Sequence, residues 1–216
     1  MLDRPIGNSG ARAKGLTLVE LLVAISVLGF VAVLGWRGLD SIVRARIALT
    51  DDLEQTRGMQ LAFAQLQSDC AHLAVPSALP NRLPLALGQD RLTLVRTVFA
   101  DNQPTRLQVI VYRVKDGVLT RRESAATRDF RELDTLWQSA ENDTDSSQPV
   151  VLQTDVTAMP MRLWVSGSKA WFTDIGMLIP AAGSASSLPV LTGLEVTMQL
   201  RGRDINLLKI FLLGAV

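Results

Sequence analysis

Few side chains in this sequence are of kinds that do chemistry, and their spacing narrows the options further. There is one His and one Cys, His72 and Cys70. Two residues cannot supply the four ligands of a zinc site, and a single His makes a multi-histidine metal centre or a His-dependent triad improbable. Cys70 sits on the apolar face of a helical pattern and reads as a small buried hydrophobe. His72, two residues on, lies on a different part of that surface and reads as exposed or locally bonded. No G-x-S-x-G, P-loop, G-x-G-x-x-G or H-E-x-x-H occurs. Glu141, Asp143 and Asp145 in AENDTDSS resemble a fragment of a calcium loop, but the turn Gly and the late bidentate Glu are absent. The segment reads as a solvated acidic loop. Arg121-Arg122 and Arg201/Arg203 read as wet strand ends rather than an anion site. Trp137, Trp164 and Trp171 read as core or interface rather than a ligand platform. The expectation is a protein without catalytic residues, metal, cofactor or small-molecule substrate.

Glu20 is the exception. It is the only charge in LTLVELLVAISVLGFVAVLGW, residues 16–36. A helix of that length spans about 30 Å, the thickness of a bilayer core. A carboxylate there costs a few kcal/mol if it faces lipid. It either stays wet near the headgroups or meets a cation inside an assembly. The run is longer than the core of an ordinary signal peptide, and the WRGLD that follows offers no A-x-A cleavage site. The run is therefore read as a retained membrane helix. Before it stands MLDRPIGNSGARAKG, with Arg4, Arg12 and Lys14 against Asp3. Arg37, Arg44 and Arg46 follow the run, so positive charge alone leaves the orientation tied.

Glu20 needs a long helix to position it. Residues 37–74 contain no Pro, and Pro76 follows. Leu49, Leu53, Thr56, Gln60, Phe63, Leu66, Cys70 and Leu73 recur three or four apart, one face of a helix that becomes apolar in its second half. Residues 16–74 read as one helix of about 59 residues, roughly 88 Å long. Gly29, Gly35 and Gly38 permit bending or close helix packing. After Pro76 the period changes to two. Residues 77–90 read as a connection. Strands are expected at 91–99, 106–114, 118–123, 150–153, 161–165, 170–173, 194–201 and 205–213, with 124–149 polar and irregular and 180–189 a small-residue loop. The fold class is α+β: a long helix whose second half packs on antiparallel sheet. With 22 Lys+Arg against 21 Asp+Glu, the net charge of +1 gives no electrostatic case for nucleic acid.

Lys14-Gly15-Leu16-Thr17-Leu18-Val19-Glu20 and the apolar run after it resemble the type III signal of type IV pilins and type II secretion pseudopilins. The resemblance implies a pilin-like fold and cleavage by a prepilin peptidase between Gly15 and Leu16. It implies N-methylation of Leu16, and pairing of Glu20 with the N-terminal amine of a neighbouring subunit. Leu16 stands where that family usually has Phe. The implied organisation is a cytoplasmic leader at 1–15, a transmembrane helix at 16–36, its periplasmic continuation at 37–76 and a periplasmic β-rich domain at 77–216, anchored in the cell inner membrane.

Further stretches narrow the resemblance. WRGLD resembles the aromatic-R-G-L-D stretch of the J-type minor pseudopilins of type II secretion, and LAFAQLQSDCAHLAV resembles their L-x-x-L-x-x-D segment. VYRVKDGVLTRRE, LWVSGSKAWF and GLEVTMQLRGRDINLLKIFLL match in order and spacing. This implies a non-catalytic subunit of the pseudopilus tip, partnered by the I- and K-type minor pseudopilins with the H-type nearby, that helps start assembly and supports protein export. A minor pilin of a type IV pilus shares the N-terminal signal. Such proteins often carry a Cys pair, whereas Cys70 is alone.

Overall fold

The computed structural model describes residues 17–80, 82–174, 188–203 and 206–214. It divides into two compact units, residues 1–52 and 53–216. The first consists, in its described part, of most of helix α1 (Leu18–Ala71). Every described residue of that unit is exposed, including the apolar run from Thr17 to Trp36; the helix is long and apolar enough to cross a membrane.

The second unit holds the rest. After α1 come a single 3-10 turn (Pro76–Ala78), β1 (Leu85–Gly88), β2 (Arg91–Ala100), β3 (Gln103–Lys115), β4 (Val118–Glu123), α2 (Phe130–Glu141), β5 (Val150–Gln153), β6 (Val156–Ala158), β7 (Met161–Val165), β8 (Ala170–Phe172), β9 (Leu191–Leu200) and β10 (Leu207–Leu212). Sheet 1 has the order β1-β2-β3-β4-β5 and sheet 2 the order β10-β9-β7-β8, with β6 also on β9. All pairings are antiparallel. The architecture is the expected pilin-like α+β arrangement, a long N-terminal apolar helix followed by antiparallel sheets.

One core joins three elements. Met59, Phe63, Leu66 and Cys70 of α1 meet Leu92, Leu94 and Ile110 from sheet 1 and Leu163, Leu194 and Phe211 from sheet 2. A second cluster lies on the other face of sheet 1, where Val95, Val109 and Val111 pack against Leu133, Trp137 and Ala140 of α2.

Four expectations are corrected. The segment 124–149 is not irregular: it contains α2, begun by Asp129, whose side chain accepts from the Arg131 N–H. Its buried residues, four and three apart, are only three in a polar stretch, too few to stand out by period. The connection 77–90 contains β1, and β6 is also additional, giving ten strands among the described residues. The helix face is shifted: Leu49 and Leu53 are 64% and 69% exposed, Gln60 is exposed, and Met59 and Ala62 take the core positions. The described helix ends at Ala71. Beyond it the backbone pairs with β2 through Ala74 N–H to Val95 O and Thr97 N–H to His72 O, both 2.8 Å. Leu73 is buried there as a strand-like residue bridged to Arg96. The small-residue loop at 180–189 falls mostly outside the described residues.

Candidate functional site

The start of α1 is built around Thr17 and Glu20. The Thr17 N–H and the Thr17 hydroxyl both donate to Glu20 Oε2 at 2.9 Å, and the Glu20 N–H donates to Thr17 Oγ1 at 3.3 Å. This is a reciprocal capping box, which satisfies backbone donors that an α-helix otherwise leaves unpaired at its N-terminus. Glu20 was expected to meet a neighbour's amine. Within a single chain its carboxylate caps its own helix, which offsets part of the cost of a charge in an apolar run. The other polar side chain in that run is Ser26, whose hydroxyl donates to Leu22 O at 2.8 Å. Around Gly29, Gly35 and Gly38 no atom lies within 4 Å of where a Cβ would stand. Among the described residues no other element packs on these glycines, and their surface is exposed. Gly15 and Leu16, the expected cleavage and methylation site, lie outside the described residues.

The other end of α1 carries a site that sequence reasoning did not assign. Asp69 is 0% exposed. Its Oδ2 accepts from Arg121 Nε at 2.8 Å and from the Tyr112 hydroxyl at 2.5 Å. Its Oδ1 accepts from Arg96 Nη1 at 2.8 Å and Arg121 Nη2 at 3.1 Å. Arg121 also donates to Glu123 Oε2 at 2.8 Å, and Arg96 grips Gln108 Oε1 through Nε and Nη2 at 3.0 and 2.8 Å. Gln108 in turn donates to Ser124 O at 2.6 Å. Sheet register makes this possible: Arg96 stands opposite Gln108 and Tyr112 opposite Arg121, so all four side chains share the face turned to α1.

Arg121 is thus a buried ion-pair partner. The expectation of a wet strand end fails for it because its strand position points inward and Asp69 lies in reach. Two carboxylates and two guanidiniums make the cluster neutral, and the hydrogen bonds offset the desolvation of the charges. Burial works against the Arg121 charge, but hydrogen bonds to Asp69 and Glu123 prevail and raise its pKa. Burial, reinforced by the Asp69 charge, raises the pKa of Tyr112 well above its ordinary value. The same two causes push the Cys70 thiol up to about 12, so Cys70 is inert. The cluster's charged groups are already bonded to one another, so the chemistry it supports is anchoring. The signal for it was legible: an acid three residues after Leu66 on an apolar helix face requires buried cations.

The remaining candidates take ordinary structural roles. Asp143 has a left-handed backbone, φ 59°, and its carboxylate pairs with Arg113 and, at 3.9 Å, with Arg122. The hydrogen bond to Arg113 holds its pKa below the ordinary value. Asp145 accepts from Ser147 N–H and hydroxyl at 2.8 and 2.6 Å. These carboxylates line a cleft of about 270 Å³ with Arg113, Lys115 and Arg122, and their oxygens are turned to cations and donors of the chain itself. His72 Nδ1 lies 2.8 Å from Ser68 O. Arg203 is partly buried and reaches Gln55 and Thr56 of α1 at 3.2 and 3.1 Å, whereas Arg201 is exposed. Trp137 is buried under the Arg82 guanidinium, 4.4 Å from its ring centroid, and Trp164 and Trp171 meet edge to face at 5.3 Å.

Residues 10–36 match the family described as the prokaryotic N-terminal methylation motif. No curated protein matches the chain. The matched span covers Gly15, Leu16, Glu20 and the apolar run, the signal of type IV pilin-like and pseudopilin proteins, and fits a membrane-anchored chain of that kind.

Proposed function

We propose that this pilin-like protein is a J-type minor pseudopilin of a type II secretion system: a non-catalytic subunit of the pseudopilus tip, anchored in the inner membrane with its second unit in the periplasm. The observation that carries the reading is the methylation motif joined to a capped apolar helix whose described residues up to Asp52 are all exposed. The secretion-system assignment draws its support from the resemblances at WRGLD, at the segment around Asp69 and in the C-terminal hairpins.

In this reading prepilin peptidase cuts after Gly15 and Leu16 is methylated. Glu20 then exchanges its internal bonds to Thr17 for the amine of a neighbouring subunit. The exchange is feasible because a capping box contributes only about 1 kcal/mol, and the carboxylate already lies in an apolar run, where a cation partner lowers the cost of its burial. The outward glycines let neighbouring helices approach. The Asp69 cluster ties the far end of α1 to sheet 1, so a load on the helix reaches the periplasmic unit. The I- and K-type minor pseudopilins are the partners, with the H-type nearby. Affinity purification of the full chain from detergent-solubilised membranes tests this. Recovery of I- and K-type subunits supports it; recovery of type IV pilus minor pilins instead would assign the chain to a pilus.

A further inference from the structure

Helix α2 lies on the outer face of sheet 1 inside a ring of charges. Its carboxylates, and that of Asp143 just after it, meet guanidiniums from different parts of the sheet layer. Asp134 pairs at 2.5 Å with Arg82, which stands just ahead of β1. Glu141 lies 3.6 Å from Arg91 of β2, whose guanidinium also donates to Glu141 O at 2.6 Å and to Ala140 O at 3.4 Å. Asp143 pairs with Arg113 of β3 and, at 3.9 Å, with Arg122 of β4. Arg122 also donates to Asp145 O at 3.3 Å. In each of these contacts the anion or acceptor belongs to residues 134–145 and the cation to the sheet side.

The apolar part of the seal is small. Leu133, Trp137 and Ala140 are the buried residues of the helix. They pack with Val95, Val109 and Val111 in the smaller cluster, and none of them enters the core that α1 shares with both sheets. The buried side-chain polar atoms that lack a hydrogen bond among the described residues are also on this side. One is Arg82 Nε, in the side chain stacked on Trp137. The other is Thr93 Oγ1, which β2 turns to the same face as Val95, two residues on. A buried polar group without a partner reduces what is gained by closing the helix over it.

The flanks are fixed to the sheet. Ahead of α2, Thr127 and Leu107 of β3 exchange hydrogen bonds of 2.8 Å in both directions. Behind it, β5 begins at Val150, paired to Arg121 of β4. Residues 128–149 thus join two anchored points and can leave the sheet without breaking a strand pairing. The ion pairs that hold them are open to water, with side chains between 18% and 68% exposed. Salt screens such pairs, but not the backbone pairing within a sheet.

We propose that α2 is a lid on sheet 1 that opens as a unit of its own while the strands stay paired, and that ionic strength sets how often it opens. Elements with few buried apolar residues and solvated tethers open well below the free energy of global unfolding. Opening would bare Val95, Val109 and Val111 and release Arg82, Arg91, Arg113 and Arg122, so the open state presents an apolar strip rimmed by cations. The inference rests on neither the membrane segment nor the secretion-system reading.

Hydrogen exchange read by mass spectrometry, on the full chain in non-ionic detergent, tests it. At low salt, peptides from α2 should exchange faster than those from β3 and β9. Raising sodium chloride from about 0.05 M to about 0.5 M should speed α2 by about fivefold, the summed loss of several screened pairs, and leave β3 and β9 as they were. The variant Asp134→Asn/Asp143→Asn should exchange about fivefold faster in α2 already at low salt, with most of the salt effect gone and the strands still protected. One common rate for α2 and the strands would overturn the inference. So would an α2 rate indifferent to salt, a salt effect undiminished in the double variant, or strands that lose protection together with α2 in that variant.

Discussion

Asp69 concentrates the electrostatics of the second unit in one side chain. Asp69→Ala would leave Arg96 and Arg121 partly desolvated without their shared carboxylate, a loss of about 3–5 kcal/mol. Thermal melts of residues 40–216 followed by circular dichroism should show this; a loss under about 1 kcal/mol would mean the cluster anchors little. Its neighbours set an alkaline limit. Cys70 and Tyr112 have folded pKa values raised above their ordinary 9.0 and 10.0. The unfolded chain therefore releases protons first. The stability this contributes is complete below about pH 9 and is lost as pH rises toward the folded values, about 12 for Cys70. Melting temperature should fall between pH 9 and 11, and less steeply in Tyr112→Phe, whose pH 8 stability is already lower by about 1.5–3 kcal/mol for the lost bond to a charged acceptor. Equal slopes in the two proteins would exclude Tyr112 as a contributor. At the other end of the helix, Glu20→Ala removes a charge from the apolar run, so membrane insertion should be unchanged or improved; under the proposed function, crosslinking to partner subunits and secretion should fall. Normal crosslinking and secretion in that variant would sink the pairing role of Glu20.

At the scale of elements, α1 is two helices in one. From Met59 to Cys70 its buried residues enter a core shared with both sheets; upstream, Leu49 and Leu53 are exposed. Leu66→Asp places a charge in that core and should unfold residues 40–216. Leu49→Asp should leave the melt of the same fragment unchanged and weaken capture of partner subunits in a pull-down. The reverse pattern would show that the wrong half of α1 had been assigned to the sheets. α2 was hidden in the sequence for a related reason. Its burial rests on only three residues, Leu133, Trp137 and Ala140, and its stability comes from the β2–β3 surface beneath them, which a window of sequence does not contain.

For the whole molecule, the proposed function requires a cut before the apolar run, because a cut beyond Trp36 would discard the anchor. Intact-mass analysis of membrane-extracted protein should find a chain beginning at methylated Leu16, and a bulky residue at Gly15 should leave the 216-residue precursor. A mature chain beginning past Trp36 would end the pilin-like reading. Much of this molecule was legible from its residues. A long apolar run, a helix continuing well past Trp36, a change of period from 3.6 to 2 and a lone acid at Glu20 are local patterns, and local patterns determine which elements form. The tertiary structure alone decided what those elements do to one another. It turned Arg121 inward toward Asp69, left Gln60 outside and drew Met59 in, and gathered Trp164, Trp171, Ile210 and Leu212 on one face. Such outcomes depend on strand register, and a shift of one residue would exchange every inward side chain for an outward one. Register is set by contacts between residues as much as 148 positions apart, as Gln55 and Arg203 are, and a reading of neighbours along the chain has no access to them.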